Sequence, residues 1–295
     1  MSLHEIKKAV VLLNKGSLVA FPTETVYGLG ADSLNNKAVQ RIFDIKGRPC
    51  NHPLIVHVAS IAEAHQLAFF NKSASLLAQK FWPGPLTLIL PKKDSVSYRV
   101  TGGQESVGIR IPSHPVAQSL LKMFGKPIVA PSANKFGHVS PTSAAHVRQD
   151  FGNDVFVLDG DSPNIGLEST IVDLYKGPAV LRPGFITESQ VSALIGPLVE
   201  SNTKSSGTLK SHYAPRTKMI LSNTPSKLAH QLSRQGQRVA VLPALDPQEH
   251  AHTLYQTLRR LDSEEYDVII AEPAQSIGLG IAINDRLKKA SFSKE

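Results

Sequence analysis

Along the chain, short runs rich in Val, Ile and Leu alternate with longer stretches whose apolar residues recur every three or four positions. The short runs predict strands at 18–21, 54–58, 86–90, 107–111, 128–130, 155–158, 170–174 and 179–181. The longer stretches predict helices at 6–14, 36–46, 73–81, 115–124, 143–151 and 188–194. This alternation marks an α/β or α+β domain. Many strand ends are followed by Pro, Gly, Ser or Thr, which is where such folds place ligand groups. Residues 200–211 read Glu-Ser-Asn-Thr-Lys-Ser-Ser-Gly-Thr-Leu-Lys-Ser, a composition that cannot bury apolar area and predicts a linker. Beyond it the pattern restarts, with strands at 219–221, 238–242 and 268–271 alternating with helices at 227–235, 252–261 and 277–289. Three β/α alternations in about 80 residues predict a small parallel-sheet domain.

Composition adds limits rather than detail. The 295 residues are 41% hydrophobic and 19% charged, ordinary for folded protein. Neither a run of about 18 apolar residues nor a signal-peptide pattern is visible, so the expectation is a cytoplasmic protein without a membrane span. One cysteine, Cys50, rules out an internal disulfide and a cysteine-built zinc site. The net charge of +8 is uneven: residues 217–295 hold 10 Lys+Arg against 9 Asp+Glu, leaving 22 against 15 in the rest. That excess fits an anionic ligand in the N-terminal part, or a solvated basic surface.

The absence of a P-loop, a Gly-x-Ser-x-Gly elbow, a His-Glu-x-x-His helix and an EF-hand loop excludes those chemistries. Gly28-Leu29-Gly30 and Gly278-Leu279-Gly280 each lack the third glycine of a dinucleotide fingerprint and read as tight turns. Thr23-Glu24-Thr25-Val26-Tyr27 follows a buried strand and either binds a small polar molecule or caps the next element. Lys46-Gly47-Arg48-Pro49 sets two cations around a glycine at a helix C-terminus; capping accounts for the glycine, but not for Arg48 framed by prolines. Arg110 sits at the end of an apolar strand and needs a partner, either a structural carboxylate or that of a bound amino acid. Arg182 is a further cation at a strand end. The repeated pattern of strand end, small or hydroxylated residues and cation points to one convergent site for a multiply anionic ligand. Cys50 with His52 lacks the orienting third group of a nucleophilic site.

As a set these segments resemble the YrdC-like family. The resemblance rests on residues 23–30, Lys46-Gly47-Arg48-Pro49, Phe81-Trp82-Pro83-Gly84-Pro85-Leu86-Thr87, Gly108-Ile109-Arg110-Ile111-Pro112, Ala130-Pro131-Ser132-Ala133-Asn134, residues 168–173 and Leu181-Arg182-Pro183-Gly184. His212-Tyr213-Ala214-Pro215 and residues 278–286 look like its long two-domain form. The resemblance implies a YrdC-like twisted mixed-sheet α/β domain at 1–199, a linker or lid at 200–216, and a small Rossmann-like parallel α/β domain at 217–295. The implied activity is that of a nucleotidyltransferase that makes threonylcarbamoyl-AMP and pyrophosphate from L-threonine, bicarbonate or CO2, and ATP with Mg2+. Its product would serve threonylcarbamoyl modification of the adenosine beside the anticodon, with tRNA or downstream transfer proteins as partners. The implied threonine positions are Thr25, His57, Arg110, Ala130 and Ser169. The implied ATP positions are Lys46, Arg48, His52, Ser106, Ser132, Ser140, Arg182 and Tyr213, with Lys46 and Arg48 carrying the catalytic electrostatics. His52 replaces an asparagine common in relatives, and Ser206 replaces the linker proline, which predicts a looser linker. The alternatives are a non-catalytic RNA-binding module and a related carbamoyl-adenylate former; low aromatic content (6%) speaks against the first.

Overall fold

Nine strands pair into one large sheet, eight of them where the apolar runs predict strands. They are β1 (Val19–Phe21), β2 (Gly28–Asp32), β3 (Ile55–His57), β4 (Leu86–Pro91), β5 (Ser106–Arg110), β6 (Ile128–Val129), β7 (Phe156–Val157), β8 (Thr170–Asp173) and β9 (Ala179–Arg182). Their order is β7-β1-β2-β6-β3-β5-β4-β8-β9, with parallel and antiparallel neighbours mixed. Among the described residues, eight helices belong to this part: α1 (Leu3–Asn14), α2 (Asn36–Lys46), α3 (Ile61–Leu67), α4 (Lys72–Phe81), α5 (Tyr98–Thr101), α6 (Pro115–Phe124), α7 (Ala144–Phe151) and α8 (Glu188–Ile195). After the linker come β10 (Lys218–Leu221), α9 (Pro225–Arg234), β11 (Val239–Val241), α10 (Pro247–Ser263), β12 (Val268–Ala271) and α11 (Leu279–Ala290). Both pairings in this second sheet, ordered β10-β12-β11, are parallel, as expected. This computed structural model describes residues 2–207 and 212–292, so 208–211 of the expected linker lie outside the described residues.

The period-two rule decides which face of the large sheet carries the site. Val56, Leu88, Leu90, Val107, Ile109 and Val172 join the main core, together with the buried faces of α2 and α4. Their alternates on the opposite face are Ile55, His57, Thr87, Ile89, Arg110 and Ile171, where only a small apolar cluster forms around Ile55, Ile89 and Ile171. Register matters most at the sheet edge. Ile171 pairs with Arg182 but Val172 pairs with Val180, and this one-residue slip leaves Arg182 opposite a site-face residue.

Three elements escaped the sequence pattern. The run Gly28-Leu29-Gly30, read as a turn, is strand β2; a Cβ on Gly30 would lie 2.8 Å from the Phe21 ring and 3.0 Å from Ile128. The glycine is there for close approach of neighbouring side chains, which a propensity scale cannot show. Helices α3 and α5 are short, and α3 is held by Ser60 accepting from the Glu63 amide while Glu63 accepts from Ala59 N–H at 3.0 Å. Gly278, by contrast, does act as a turn, with φ 52° at the start of α11.

The linker is pinned rather than loose. Ser201 and Thr203 hydroxyls each donate to Asp173 at 2.6 Å, and Ser206 donates to Pro53 O at 3.0 Å, a bond proline could not make. The two domains also share a core: Val26, Val139 and Leu167 pack with Leu254, Tyr255 and Ile283. Gly166 permits this docking, since at φ 81° its Cβ would stand 2.3 Å from His252 O on α10. No helix among the described residues is long and apolar enough to cross a membrane.

Candidate active site

A cavity of about 540 Å3, counting its mouth, opens between the site face of the large sheet and the linker. It is lined by Thr25, His57, Arg110, Ala130 and Ser169, all five of the residues matched to threonine. Arg48, Ser132, Arg182 and Tyr213 line it too. Four expected positions stand elsewhere. Lys46 is behind the wall, its ammonium donating to Ser132 O at 2.6 Å and to Asn134 O, so it shapes that turn instead of facing the cavity. Ser140 donates to Glu168 at 2.5 Å, one layer back. Ser106 lines a smaller adjoining cavity roofed by Ser205 and Ser206. His52 packs edge-on to Phe136 with centroids 5.5 Å apart.

Local chemistry explains the aim of each cation. Gly47 ends α2 in the left-handed region (φ 65°), and the Arg48 amide bonds back to Phe43 O at 2.9 Å. The capping reading of this motif is therefore right, and the turn also throws Arg48 inward. Its guanidinium donates to Pro53 O at 2.9 Å and lies near the Phe136 ring, while Nε has no partner among the described residues. Burial lowers its pKa to about 10. Arg182 clasps Ser169, donating to its carbonyl at 2.9 Å and to its hydroxyl at 3.0 Å. Both side chains are buried, and neither has a carboxylate within salt-bridge distance among the described residues. Buried cations without counter-ions call for an anion.

Arg110 resolves differently. Its Nη2 lies 2.8 Å from Glu24 Oε1, with both side chains 5% exposed, so the required carboxylate comes from the chain itself. The N–H direction misses that oxygen, which makes this a charge contact rather than a directed hydrogen bond and leaves the donor free to turn to a second carboxylate. His57, opposite Arg110 in the β3–β5 register, is driven to a pKa of about 3 by burial and by the Arg110 charge. It is a neutral imidazole; Nδ1 lies 3.2 Å from Ile55 O, so Nδ1–H donates there and Nε2 is left as an acceptor.

Sequence reasoning passed over the second layer. Glu168 also lines the cavity, but accepts from Tyr255 at 2.8 Å and Arg286 at 3.0 Å, both in the C-terminal domain. Burial would raise its carboxyl, yet Arg286, Arg182 and two hydroxyl donors hold it at about 2. Tyr255 looks like any core aromatic in sequence. Arg286 did carry a signal: with Ile283, Leu287 and Ala290 it falls on the apolar face of its helix, where a cation needs a reason. Among the described residues no group of three or more His, Cys, Asp or Glu is gathered to hold a metal. Glu168, the carboxylate that lines the cavity, is already paired with Arg286, and nearby Glu24 with Arg110.

Residues 11–184 match the Sua5–YciO–YrdC family, described as telomere recombination, and residues 186–291 match the threonylcarbamoyl-AMP synthase C-terminal domain. The chain belongs to this family. It is 40% identical to the threonylcarbamoyl-AMP synthase of Pyrococcus abyssi (strain GE5 / Orsay), with 97% of this chain and 94% of that relative covered. The Bacillus subtilis (strain 168) threonylcarbamoyl-AMP synthase is 41% identical, with 97% and 93% covered. The fold matches the crystal structure of P. abyssi Sua5 complexed with L-threonine at a TM-score of 0.91 and 39% identity, covering 97% of this chain and 94% of that one. Family membership and the second-domain match agree with the two-sheet architecture described above.

Proposed function

We propose that this chain is an L-threonylcarbamoyladenylate synthase, joining L-threonine, bicarbonate or CO2, and ATP into threonylcarbamoyl-AMP and pyrophosphate. The observation that carries this reading is the pair of buried guanidinium groups, Arg48 and Arg182, facing one cavity without carboxylate partners among the described residues, next to the Arg110–His57 pair. Relatives named threonylcarbamoyl-AMP synthase at 40–41% identity, and a related structure complexed with L-threonine, support it.

In this mechanism the threonine amine takes up CO2, loses a proton and becomes a carbamate. A carbamate oxygen attacks the α-phosphorus of ATP, the bond to the β-phosphate oxygen breaks, and pyrophosphate departs with that electron pair. No covalent enzyme intermediate is required. The chain's task is to hold two anions in line and to offset charge on the leaving group. Arg110 receives the threonine carboxylate, while neutral His57 offers Nε2 to a threonine donor without adding a competing positive charge. Arg48 and Arg182 face the phosphates. Lys46 sets the Ser132 turn, so its contribution is positional, and burial followed by the nearby Arg48 holds its pKa well below the usual lysine value. Mg2+ bound to ATP would supply further charge neutralisation through phosphate oxygens; the chain itself presents no ligand set for it among the described residues. The product would feed threonylcarbamoyl modification of tRNA.

A docking module for RNA would expose its cations along a groove. Here the three arginines are 4–7% exposed and turned inward, a poor surface for a strand but a suitable one for a nucleotide. The test is pyrophosphate release from ATP, with threonine and bicarbonate omitted in turn. Release should require both; release that persists without either one overturns the assignment.

A further inference from the structure

Among the described residues the C-terminal domain contributes no cavity-lining residue beyond the linker, yet it sends Tyr255, Lys289 and, most deeply, Arg286 into the site's support. Arg286 is 1% exposed, more deeply buried than any other cation among the described residues. Its guanidinium reaches three parts of the site at once. Nε donates to Glu168 at 3.0 Å, Nη1 donates to Pro183 O at 2.8 Å, directly after Arg182, and the group lies 5.2 Å from the centroid of the Tyr213 ring.

Tyr213 needs such support. It is a non-glycine residue at φ 61°, a backbone state that L side chains occupy only under constraint from their surroundings. Its ring stacks on Tyr255 at 5.7 Å and contacts His212 edge-on at 4.1 Å. The residue lines the cavity, and its buried hydroxyl has no hydrogen-bond partner among the described residues. A Cβ on Gly207 would come within 2.5 Å of that oxygen, so the hydroxyl sits where only glycine leaves room for it. The polar end of the side chain is therefore aimed at a ligand, while its ring is fixed from behind by α10 and α11.

We infer that Arg286 is a positioning residue for the nucleotide half of the site: it holds Tyr213 and the Glu168–Arg182 wall in the geometry that receives ATP, without touching substrate. This rests on the synthase reading above. It gives the second domain a defined task beside that of Lys289, also on α11, whose ammonium donates to Gly207 O at 2.7 Å on the linker side of the cavity. Of the threonine positions, Ser169 adjoins the wall that Arg286 holds, being next to Glu168 and clasped by Arg182, whereas Thr25, His57, Arg110 and Ala130 stand on other elements; the threonine end should therefore register the loss less than the nucleotide end.

The experiment is calorimetric binding of ATP and of threonine to the full chain, with Arg286→Met, Arg286→Lys and the double variant Glu168→Gln/Arg286→Met. Arg286→Met alone strands a buried carboxylate, so thermal unfolding is followed in parallel and the double variant removes both charges together. Expected is a loss of ATP affinity of about tenfold or more in the double variant, the scale of one charge-assisted contact. Threonine affinity should fall by less than ATP affinity, because only Ser169 of its five positions adjoins the Glu168–Arg182 wall. Lysine, which keeps the charge without the planar fork, should recover stability but only part of the ATP binding. ATP affinity restored in the double variant would mean that Arg286 merely neutralises Glu168, and the inference would fall. Equal losses for both ligands would also overturn it. If the unmodified protein binds no ATP, the nucleotide reading fails and takes this inference with it; if it does and the variants match it, this inference alone is lost.

Discussion

Arg110→Ala removes one half of a buried ion pair. Glu24 would keep only the Ser113 amide, donating at 3.1 Å to its other oxygen, while its side chain stays 5% exposed. Breaking a buried pair from one side costs about 3–5 kcal/mol, because the remaining charge is uncompensated. For a domain of this size each kcal/mol moves Tm by about 2–4 °C, so a fall of roughly 6–20 °C is expected. Glu24→Gln/Arg110→Met removes both charges at similar volume and should regain most of that loss. Ligand binding separates function from folding. In the double variant, threonine affinity should drop by about 1.5–3 kcal/mol, roughly 10–150-fold, the scale of a hydrogen bond to a charged group. ATP affinity, set by Arg48 and Arg182 on other elements, should stay within about threefold. Calorimetry with each ligand and a melting curve for each variant read these values. The reasoning is refuted by equal losses for the two ligands, or by single and double variants that melt together.

Glu168 should impose a pH dependence on stability. Its folded pKa of about 2 lies below its ordinary value of 4.5, so the stabilisation is complete above about pH 4.5 and is lost as pH falls towards 2. The difference corresponds to on the order of 3 kcal/mol. Melting curves of the unmodified protein should therefore fall more steeply than those of Glu168→Gln across that window, and parallel curves would contradict the ion-paired state. Gly166→Ala should unseat α10, because the added Cβ meets His252 O at 2.3 Å and the residue sits at φ 81°. We expect a Tm lower by several degrees, from about 1–3 kcal/mol of backbone strain alone, and faster proteolysis within the linker; an unchanged cleavage rate would mean that the domains stay docked.

Much of the site was readable because its cations break an apolar rhythm. Arg110 ends a fully buried strand, Arg182 ends an apolar strand whose Val180 and Leu181 are half-buried, and Lys46-Gly47-Arg48 ends a helix in residues that have two jobs. What the pattern concealed was division of labour within a motif. Lys46 and Arg48 are two residues apart, yet one braces a turn and the other faces the cavity, because the left-handed Gly47 sends their side chains different ways. The strand at Gly28–Asp32 was invisible for a related reason: its glycines answer to the Phe21 ring, a contact made only after the chain has folded.

By itself the sequence determined the two-sheet α/β architecture and the cations that need an anion, since these follow from local periodicity and the cost of burying charge. Only the tertiary structure decided which cations keep that need. Arg110 finds Glu24 from 86 residues away, and Arg286 finds Glu168 across the domain boundary, whereas Arg48 and Arg182 find no carboxylate among the described residues. Pairing of that kind depends on which strand ends meet at one face of the sheet and on a single-residue slip between β8 and β9. Neither is encoded in any window of neighbouring residues, because both are set by packing between segments far apart in the chain.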